Sequence, residues 1–291
     1  MKKLLLIINL HSGKAVIGEY IAEMLDFYSK KDYDISVYCS QGRGYIEKRI
    51  ADVGSEYNNI IVCGGDGSFN EAVNGVMKLK TKPVLGYVPC GSTNDFANTI
   101  GIPTDIYDAY VTALEGNSFK IDVGKFENKY FSYVAGFGLF TNLSYDTDQN
   151  IKNLLGYQAY VLKGISELSA IKNYNMRVEY DEGVIEDNFI VGLVTNSNRI
   201  AGIDMNLSAD YSDGLFEVLL IKTPNILTVM PTIVNALIDH NFNNDYMYYF
   251  KTSSVKFSST NKVFWTIDGE SGGGHKDVNI SVKKRAIVIK I

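Results

Sequence analysis

The chain has 291 residues, of which 46% are hydrophobic and 21% are charged, and its formal net charge is -5 at pH 7. This composition is typical of a globular protein that is long enough for one large or two medium domains. The negative charge argues against nucleic acid as a partner, because nucleic-acid-binding proteins are usually basic. The three cysteines, Cys39, Cys63 and Cys90, are too few and too scattered for a disulfide framework or a metal cluster.

The first residues, MKKLLLIINLHSGKA, imitate a secretory signal peptide, because two lysines precede an apolar run. The run at residues 4–8 is shorter than the apolar region of such a signal, and a turn sequence and a helical pattern follow it. We therefore predict a buried β-strand here. No apolar segment reaches the ~18 residues of a membrane-spanning helix, so no transmembrane segment is expected.

The first part of the chain alternates short apolar runs with amphipathic stretches. Strands are predicted at residues 4–8, 35–39, 60–63 and 84–88. Helices are predicted at residues 16–29, 45–53, 69–78 and 105–115. This β-α-β-α order predicts a doubly wound parallel sheet, and such sheets bind ligands in a crevice at the carboxyl ends of their strands.

Beyond residue 120 the strand-like runs predominate. They occupy residues 120–126, 129–135, 176–180, 189–196, 215–221, 255–257, 263–267 and 286–291, and helical patterns interrupt them at residues 150–170 and 225–239. We therefore predict an α/β domain over residues 1–119 and a mainly antiparallel β domain over residues 120–291. Whether the last strand returns to the first domain is left open.

Three glycines, Gly64, Gly65 and Gly67, stand where the third predicted strand becomes a helix. Glycines there allow positive φ and close backbone approach, so that successive N–H groups can hold phosphate oxygens. A helix beginning at about Ser68 would add its partial positive charge. The alternative is a tight turn in which Asp66 caps the helix.

Other predicted strands also end in polar turns. Small polar residues and a lysine occupy residues 9–14, and Ser40 follows the second strand. After the fourth strand, Gly91, Ser92 and Thr93 offer further donors and Asp95 offers another carboxylate. The usual nucleotide-binding motifs, a P-loop or a G-x-G-x-x-G helix start, are absent.

Four segments in this order closely resemble one known family: Asn9 with Ser12-Gly13-Lys14, GGDGSFNE at 64–71, GSTNDFA at 91–97 and DGE at 268–270. The chain resembles the diacylglycerol kinase catalytic-domain family of bacterial lipid kinases, which is related to sphingosine kinases and more distantly to NAD kinases. TNDFA followed far downstream by DGE favours a lipid kinase over an NAD kinase. The resemblance implies ATP bound between an α/β nucleotide domain and a β-rich lipid domain.

The resemblance also implies a set of site residues. It assigns the nucleotide contacts to Asn9, Ser12, Ser40, Gly65, Asp66, Gly67, Ser68, Phe69, Asn70, Glu71 and Ser92. It assigns Mg²⁺ on the phosphates to Asp66, Asp95 and Asp122, directly or through water. A second, structural metal loop would use the carboxylate of Asp213 and the backbone carbonyls of Asp210 and Leu215. Asp268 and Glu270 would form the catalytic pair, although Asp268 and Gly269 also suit a simple hairpin turn.

The resulting hypothesis is an enzyme of phospholipid biosynthesis that transfers the γ-phosphate of Mg-ATP to a lipid hydroxyl, with diacylglycerol as the favoured acceptor and phosphatidic acid as the product. The alternatives are an NAD kinase-like enzyme for a soluble dinucleotide and a non-enzymatic lipid- or nucleotide-binding regulator. We expect a cytoplasmic protein that associates peripherally with the inner face of the membrane, and a homodimer is left open. Aromatic residues at 133–145 and 246–250 are interpreted as an acyl-chain groove, a bilayer-facing patch or core.

Overall fold

The computed structural model describes residues 1–13, 17–138, 172–200, 203–204, 207, 209–222, 242 and 244–291. The predicted helices over residues 150–170 and 225–239 lie outside the described residues, as do residues 139–145 of the aromatic stretch. The chain divides into two compact units. The first unit consists of Met1–Val134, Asn196–Leu215 and Ser281–Ile291, and the second consists of Ala135–Thr195 and Phe216–Ile280. The predicted domain bounds, 1–119 and 120–291, stay a prediction.

Four parallel strands form the sheet of the first unit. They are β1 (Lys2–Ile8), β2 (Tyr33–Cys39), β3 (Asn59–Gly64) and β4 (Val84–Pro89). Their spatial order is β2-β1-β3-β4, and every pair along it is parallel. All residues of β3 are buried, as expected for a parallel strand that is covered on both faces. These strands lie where the sequence predicts them, with one or two further residues at their ends.

The described part of the first unit contains five α-helices. They are α1 (Ile17–Ser29), α2 (Tyr45–Val53), α3 (Asp66–Met77), α4 (Asp95–Ile100) and α5 (Ile106–Glu115). The sequence did not predict α4, because six residues are too few to show a helical period. Helix α3 begins two residues before the predicted start near Ser68.

Helices α1 and α5 share a hydrophobic core with one face of β1. Leu4, Leu6 and Ile8 belong to this core, because alternate residues of a strand point to the same side of the sheet. Tyr28 of α1 is fully buried, and its hydroxyl donates a 2.9 Å hydrogen bond to the carbonyl of Tyr110 in α5. Helices α2 and α3 contact each other instead, and Gly75 allows this approach because a Cβ there would lie 2.8 Å from the Cβ of Ile50.

Further strands complete the described part of the first unit. They are β5 (Ser118–Phe126), β6 (Lys129–Phe131), β10 (Arg199–Ile200) and β11 (Ile203–Asp204). The segment Ser281–Ile291 is the end of a long strand, β15 (Glu270–Lys290), and its Ile289 pairs in parallel with Leu85 of β4. Asn117 and Ile291 exchange two backbone hydrogen bonds, which fix the end of the chain beside β5.

The described part of the second unit is built from antiparallel strands. They are β7 (Val134–Gly138), β8 (Tyr174–Tyr180), β9 (Gly183–Thr195), β12 (Phe216–Lys222), β13 (Met247–Thr252), β14 (Ser254–Ile267) and the first half of β15. β12 pairs with both β9 and β13, and β8 pairs with both β9 and β14. In the β13 part of the predicted aromatic stretch, the ring of Phe250 stacks on Tyr180 at 4.1 Å between centroids.

The predicted bounds of two strands differ from those in the structure. Strand β14 runs without interruption through residues predicted as two strands, because the polar residues between Phe257 and Val263 are largely exposed and do not break the strand. The predicted strand 129–135 is instead divided into β6 and the start of β7. Within the part of the chain that the structure describes, no helix combines the length and hydrophobicity needed to cross a bilayer.

Candidate functional site

Three turns of the first unit meet at the carboxyl ends of β1, β3 and β4. A Cβ at Gly91 would lie 2.6 Å from the Cα of Gly65, and a Cβ at Gly13 would lie 2.2 Å from the carbonyl oxygen of Cys90. These distances are shorter than any ordinary contact, so the turns approach through bare backbone. A Cβ at Gly65 would also lie 3.2 Å from the hydroxyl of Ser12. These positions therefore require glycine, because a side chain would collide with the neighbouring turn.

The glycines after β3 do not use the positive φ that glycine allows. Gly64, Gly65 and Gly67 are absent from the residues with positive φ in the described chain, and Gly65 has φ -91° and ψ -173°, an extended conformation. Gly13 does have positive φ, at 57°. The close backbone approach that the sequence predicted for this turn is present, and it comes from the neighbouring turns.

Asp66 joins two of these turns. Its carboxylate accepts hydrogen bonds from the backbone N–H of Asp95 at 3.1 Å and of Phe96 at 3.2 Å, which are the first two residues of α4. Asp66 thus caps α4. The alternative considered from the sequence was that Asp66 caps α3, the helix that it begins. The N-cap of α3 is instead Gly65. The N-cap of α4, Asn94, makes no side-chain bond to that helix.

Asn94 closes the turn after β4 on itself. Its side-chain oxygen accepts from the N–H of Gly91 at 2.9 Å, and its side-chain nitrogen donates to the carbonyl of Gly91 at 3.0 Å. Asn94 has φ 51°, a left-handed conformation that asparagine tolerates better than most residues. The turn therefore has a fixed shape, with Ser92 exposed at its outer side.

The serines and the asparagine predicted to contact the nucleotide line the same edge. Asn9 donates a 3.0 Å hydrogen bond from its side chain to the hydroxyl of Ser68, and its side-chain oxygen accepts from the N–H of His11. Ser12 donates its N–H to the carbonyl of Asn9 at 3.2 Å. The hydroxyl of Ser40 faces the carbonyl of Gly42 at 3.4 Å.

Glu71, another predicted nucleotide contact, has a structural partner in this structure. Its two carboxylate oxygens accept from the N–H of Gly44 at 2.7 Å and of Ile46 at 3.0 Å, so the side chain caps the start of α2. No local pattern signals this bond, because its partners lie 25 and 27 residues away along the chain. The role of Glu71 toward a nucleotide stays a prediction.

Asn70 and Phe69 also make contacts that support the turn. Asn70 and Asn74 both donate side-chain hydrogen bonds to the carbonyl of Tyr130 in β6, at 3.2 and 2.9 Å. The ring of Phe69 is fully buried and stacks on Phe96 with 4.2 Å between centroids. A nucleotide contact from Phe69 would therefore have to come from its backbone.

Asp122 is the buried centre of a second cluster in the first unit. Its side chain is 1% exposed, and its carboxylate accepts from the N–H of Gly214 at 2.6 Å and of Arg285 at 2.5 Å. Burial raises the pKa of Asp122, and the two backbone hydrogen bonds offset part of this rise. Asp122 thus ties β5 to two distant segments of the chain, and its role toward Mg²⁺ stays a prediction.

The loop predicted as a second metal site is held by its own polar groups. Asp213 accepts from the N–H of Leu215 at 2.8 Å, and Asp210 accepts from both the N–H and the hydroxyl of Ser212 at 2.9 Å. The ammonium of Lys284 donates to the backbone carbonyl of Asp213 at 2.7 Å. Among the described residues, no group of three or more His, Cys, Asp or Glu side chains is placed to hold a metal ion.

Asp268 and Glu270 lie in the second unit, where β14 turns into β15. Asp268 and Gly269 have φ values of 46° and 80°, which is the backbone of a two-residue hairpin turn with both central residues left-handed. Asp268 is 3% exposed, whereas Glu270 is half-buried. A buried aspartate held at positive φ is uncommon, and such residues are frequent at functional sites. The catalytic role of the pair stays a prediction.

Comparison with known proteins identifies the family. Residues 3–126 match the family described as "Diacylglycerol kinase catalytic domain", and residues 140–289 match "YegS C-terminal NAD kinase beta sandwich-like domain". The chain is 33% identical over 277 residues to a protein named diacylglycerol kinase from Bacillus subtilis (strain 168), covering 94% of this chain and 91% of that protein. The chain belongs to the diacylglycerol kinase family. It is a lipid kinase.

Further relatives of the kinase agree with this assignment. A diacylglycerol kinase from Staphylococcus carnosus (strain TM300) is 32% identical over 275 residues, covering 94% of this chain and 90% of that protein. The crystal structure of a diacylglycerol kinase from Bacillus anthracis str. Sterne shares the fold, with a TM-score of 0.78 at 22% identity, over 100% of this chain and 97% of that chain. A second structure from the same strain has a TM-score of 0.85 at 24% identity and covers the same shares.

Sequence reasoning missed several residues that shape the site of this lipid kinase. Asn94 closes the turn after β4, and Lys284 and Arg285 hold the loop around Asp213. The sequence did signal Asn94, because asparagine after a glycine-containing turn is a common left-handed residue. No local pattern signals Lys284 and Arg285, because their partners are distant in sequence. Asp213 and Ser212 lie about 70 residues earlier, and Asp122 in β5 lies earlier still.

Proposed function

We propose that this lipid kinase transfers the γ-phosphate of ATP to the hydroxyl of a lipid, with diacylglycerol as the acceptor and phosphatidic acid as the product. The observation that carries the proposal is the backbone contact between Gly65 and Gly91 beside the hydroxyl of Ser12. Glycine backbone at the ends of strands lets N–H groups and a hydroxyl reach phosphate oxygens, because no side chain blocks them. The names of the relatives from Bacillus subtilis and Staphylococcus carnosus support diacylglycerol as the acceptor.

We further propose that the first unit is a doubly wound α/β sheet. Two arrangements support this: the parallel order β2-β1-β3-β4, and the packing of α1 with α5 on one face of β1 while α2 contacts α3. In such sheets the ligand crevice lies outside the carboxyl ends of the strands, which is where the three glycine turns meet. The amino terminus of α3 would add a partial positive charge toward a phosphate.

Asp66 and Asp95 would hold Mg²⁺ near the phosphates. The backbone hydrogen bonds from α4 orient the Asp66 carboxylate, and carboxylate oxygens are ligands that Mg²⁺ prefers. Few carboxylates suffice for Mg²⁺, because this ion keeps several waters and takes phosphate oxygens as further ligands. When bound, Mg²⁺ would neutralise charge on the transferred phosphate. Asp122 is the third proposed partner of Mg²⁺. Its carboxylate would bind the ion or its water shell while it also accepts the backbone hydrogen bonds from Gly214 and Arg285.

The loop at residues 210–215 is the proposed place of a second, structural cation. One oxygen of Asp213 already accepts from Leu215, and its other oxygen together with the carbonyls of Asp210 and Leu215 would supply oxygen ligands. Such a site would stabilise the loop that Asp122 ties to β5.

Asp268 and Glu270 would act on the lipid hydroxyl. As the hydroxyl oxygen attacks the phosphorus, its proton must go to a positioned base, and a carboxylate in this hairpin can accept it. Two carboxylates so close in sequence can raise each other's pKa and so favour proton acceptance by one of them. The resemblance of DGE at 268–270 to the family's motif supports this pair.

The lipid acceptor lies in a bilayer, so the kinase is proposed to act at the inner surface of the membrane as a peripheral protein. Phe264 is 61% exposed in the second unit, which offers an apolar side chain for that surface. Whether the kinase forms a homodimer stays open.

Phosphate transfer from radiolabelled Mg-ATP to lipids in mixed micelles tests the function. We expect labelled phosphatidic acid from diacylglycerol, and less label on phosphatidylglycerol or sphingoid bases. NAD in the same assay serves as a control for a soluble acceptor. Labelled NADP with no labelled lipid would overturn the proposal.

A further inference from the structure

The side chain of Tyr87 is buried in β4, the strand whose carboxyl end leads into one of the three glycine turns. Tyr87 lies in β4 opposite Val62 of β3, and its side chain is fully buried. Among the described residues its hydroxyl oxygen has no hydrogen-bond partner. A buried hydroxyl without a partner destabilises a protein, so each such group in a native structure calls for an explanation.

The aromatic packing around Tyr87 leads to Asp66. The ring of Tyr87 lies 4.7 Å from that of Phe69 in α3, and Phe69 stacks on Phe96 of α4. The backbone N–H of Phe96 donates to Asp66, and Asp66 begins the same helix that carries Phe69. The ring of Tyr87 therefore packs against one residue from each helix that meets at Asp66, Phe69 of α3 and Phe96 of α4.

The surroundings of the Tyr87 hydroxyl favour its protonated form. Burial raises the pKa of Tyr87, and the Asp66 carboxylate raises it further, followed by the thiols of Cys90 and Cys63. The hydroxyl therefore keeps its proton at any ordinary pH. A protonated hydroxyl is a hydrogen-bond donor, and an ionised carboxylate is the acceptor that gains most from one in a buried place.

We propose that Tyr87 is a positioning residue for Asp66, whose hydroxyl donates to the Asp66 carboxylate, directly or through one buried water, when nucleotide is bound. This inference rests on the proposed function, because it gives Asp66 a role in holding Mg-ATP. The backbone donors from α4 hold the Asp66 carboxylate, and the Tyr87 hydroxyl would supply a further donor from β4. A further donor would restrict the orientation of the carboxylate toward the cation.

A simple packing role for Tyr87 makes a different prediction. Tyr87→Phe keeps the ring and its stacking, and it removes only the hydroxyl. If the hydroxyl did nothing, its removal would raise the melting temperature or leave it unchanged, and nucleotide affinity would stay the same.

The test compares Tyr87→Phe with Tyr28→Phe. The Tyr28 hydroxyl is equally buried but already donates to the carbonyl of Tyr110, away from the site. Melting temperature without ligand is measured for each variant, and calorimetry gives the dissociation constant of a non-hydrolysable ATP analogue with Mg²⁺. For Tyr87→Phe we expect an unlowered melting temperature and a dissociation constant raised on the order of tenfold. For Tyr28→Phe we expect a lowered melting temperature and unchanged affinity.

A double variant shows whether Tyr87 acts through Asp66. In an Asp66→Asn background, Tyr87→Phe should have little further effect on affinity, because the acceptor has lost its charge. Additive losses would overturn the inference. A wild-type affinity in Tyr87→Phe, or a clearly lowered melting temperature without ligand, would also overturn it. Failure of the wild-type kinase to bind Mg-ATP would instead refute the proposed function.

Discussion

Gly65 and Gly91 touch backbone to backbone, so that a Cβ at Gly91 would lie 2.6 Å from the Cα of Gly65 and 2.8 Å from the side-chain oxygen of Asn94. The turns after β3 and β4 therefore meet through their glycine backbones, with the side chain of Asn94 beside the contact. A phosphate group fits such a surface because backbone N–H groups can approach it closely. The shape of the candidate site depends on both glycines.

Gly91→Ala should push the two turns apart. We expect a loss of about 1–3 kcal/mol in the free energy of unfolding from overpacking. ATP affinity should fall at least tenfold, because the phosphate surface is displaced. Calorimetry with the non-hydrolysable ATP analogue measures the affinity, and chemical denaturation measures stability. Gly18→Ala is the matched control, because a Cβ there meets nothing within 4 Å. Equal ATP affinities in Gly91→Ala and Gly18→Ala would remove Gly91 from the site.

Asp268→Asn and Glu270→Gln should slow turnover and leave ATP affinity nearly unchanged. Loss of a general base typically lowers the rate by about 10²–10⁴-fold. Asparagine tolerates the left-handed backbone of Asp268, so the hairpin should fold in the first variant. The measurement is the turnover number on diacylglycerol in mixed micelles.

Glu182→Gln provides the control for these two variants, because Glu182 is exposed in the same unit. It should keep wild-type turnover. The larger loss between Asp268→Asn and Glu270→Gln would mark the base. Wild-type turnover in both variants would show that the pair serves only the hairpin.

Asp213→Ala should abolish a Mg²⁺-dependent gain in thermal stability. A cation bound only by the folded state stabilises it in proportion to the logarithm of its concentration. We expect Mg²⁺ to raise the melting temperature of the wild-type kinase and to have a smaller effect on Asp213→Ala, which lacks the carboxylate.

The control is Asp52→Ala, which changes the net charge equally at an exposed position of α2. It should respond to Mg²⁺ like the wild type. If Mg²⁺ raises the melting temperature equally in Asp213→Ala and in the wild type, the loop holds no cation.

The cysteines should differ in their reaction with iodoacetamide at pH 8. Only the thiolate reacts, and burial raises the pKa of Cys90 to about 12 and that of Cys63 well above its usual value. Cys39 is exposed. Mass spectrometry of the folded kinase should show alkylation at Cys39 first, and Cys39→Ser should remain largely unmodified. Early modification of Cys90 would show that the turn after β4 opens in solution.

The strands β1 to β4 could be predicted from the sequence, because their signals are local. Apolar runs of the right length, flanked by turn residues, fix where each strand lies, and the alternation with helical periods fixes their parallel pairing. The family was also within reach, since its motifs are short and contiguous: GGDGSFNE, GSTNDFA and DGE. The comparisons confirm the family and the lipid kinase activity that these motifs implied.

The tertiary structure alone decided how these motifs touch one another. The bond of Asp66 to α4, the bond of Glu71 to α2 and the contact of Gly65 with Gly91 join residues that lie 25 to 30 positions apart. No local pattern encodes such pairs, because they exist only once the sheet brings the ends of its strands together. The same holds for Tyr87: its place in a strand follows from its neighbours in sequence, whereas the lack of a partner for its hydroxyl depends on how two distant helices pack above it.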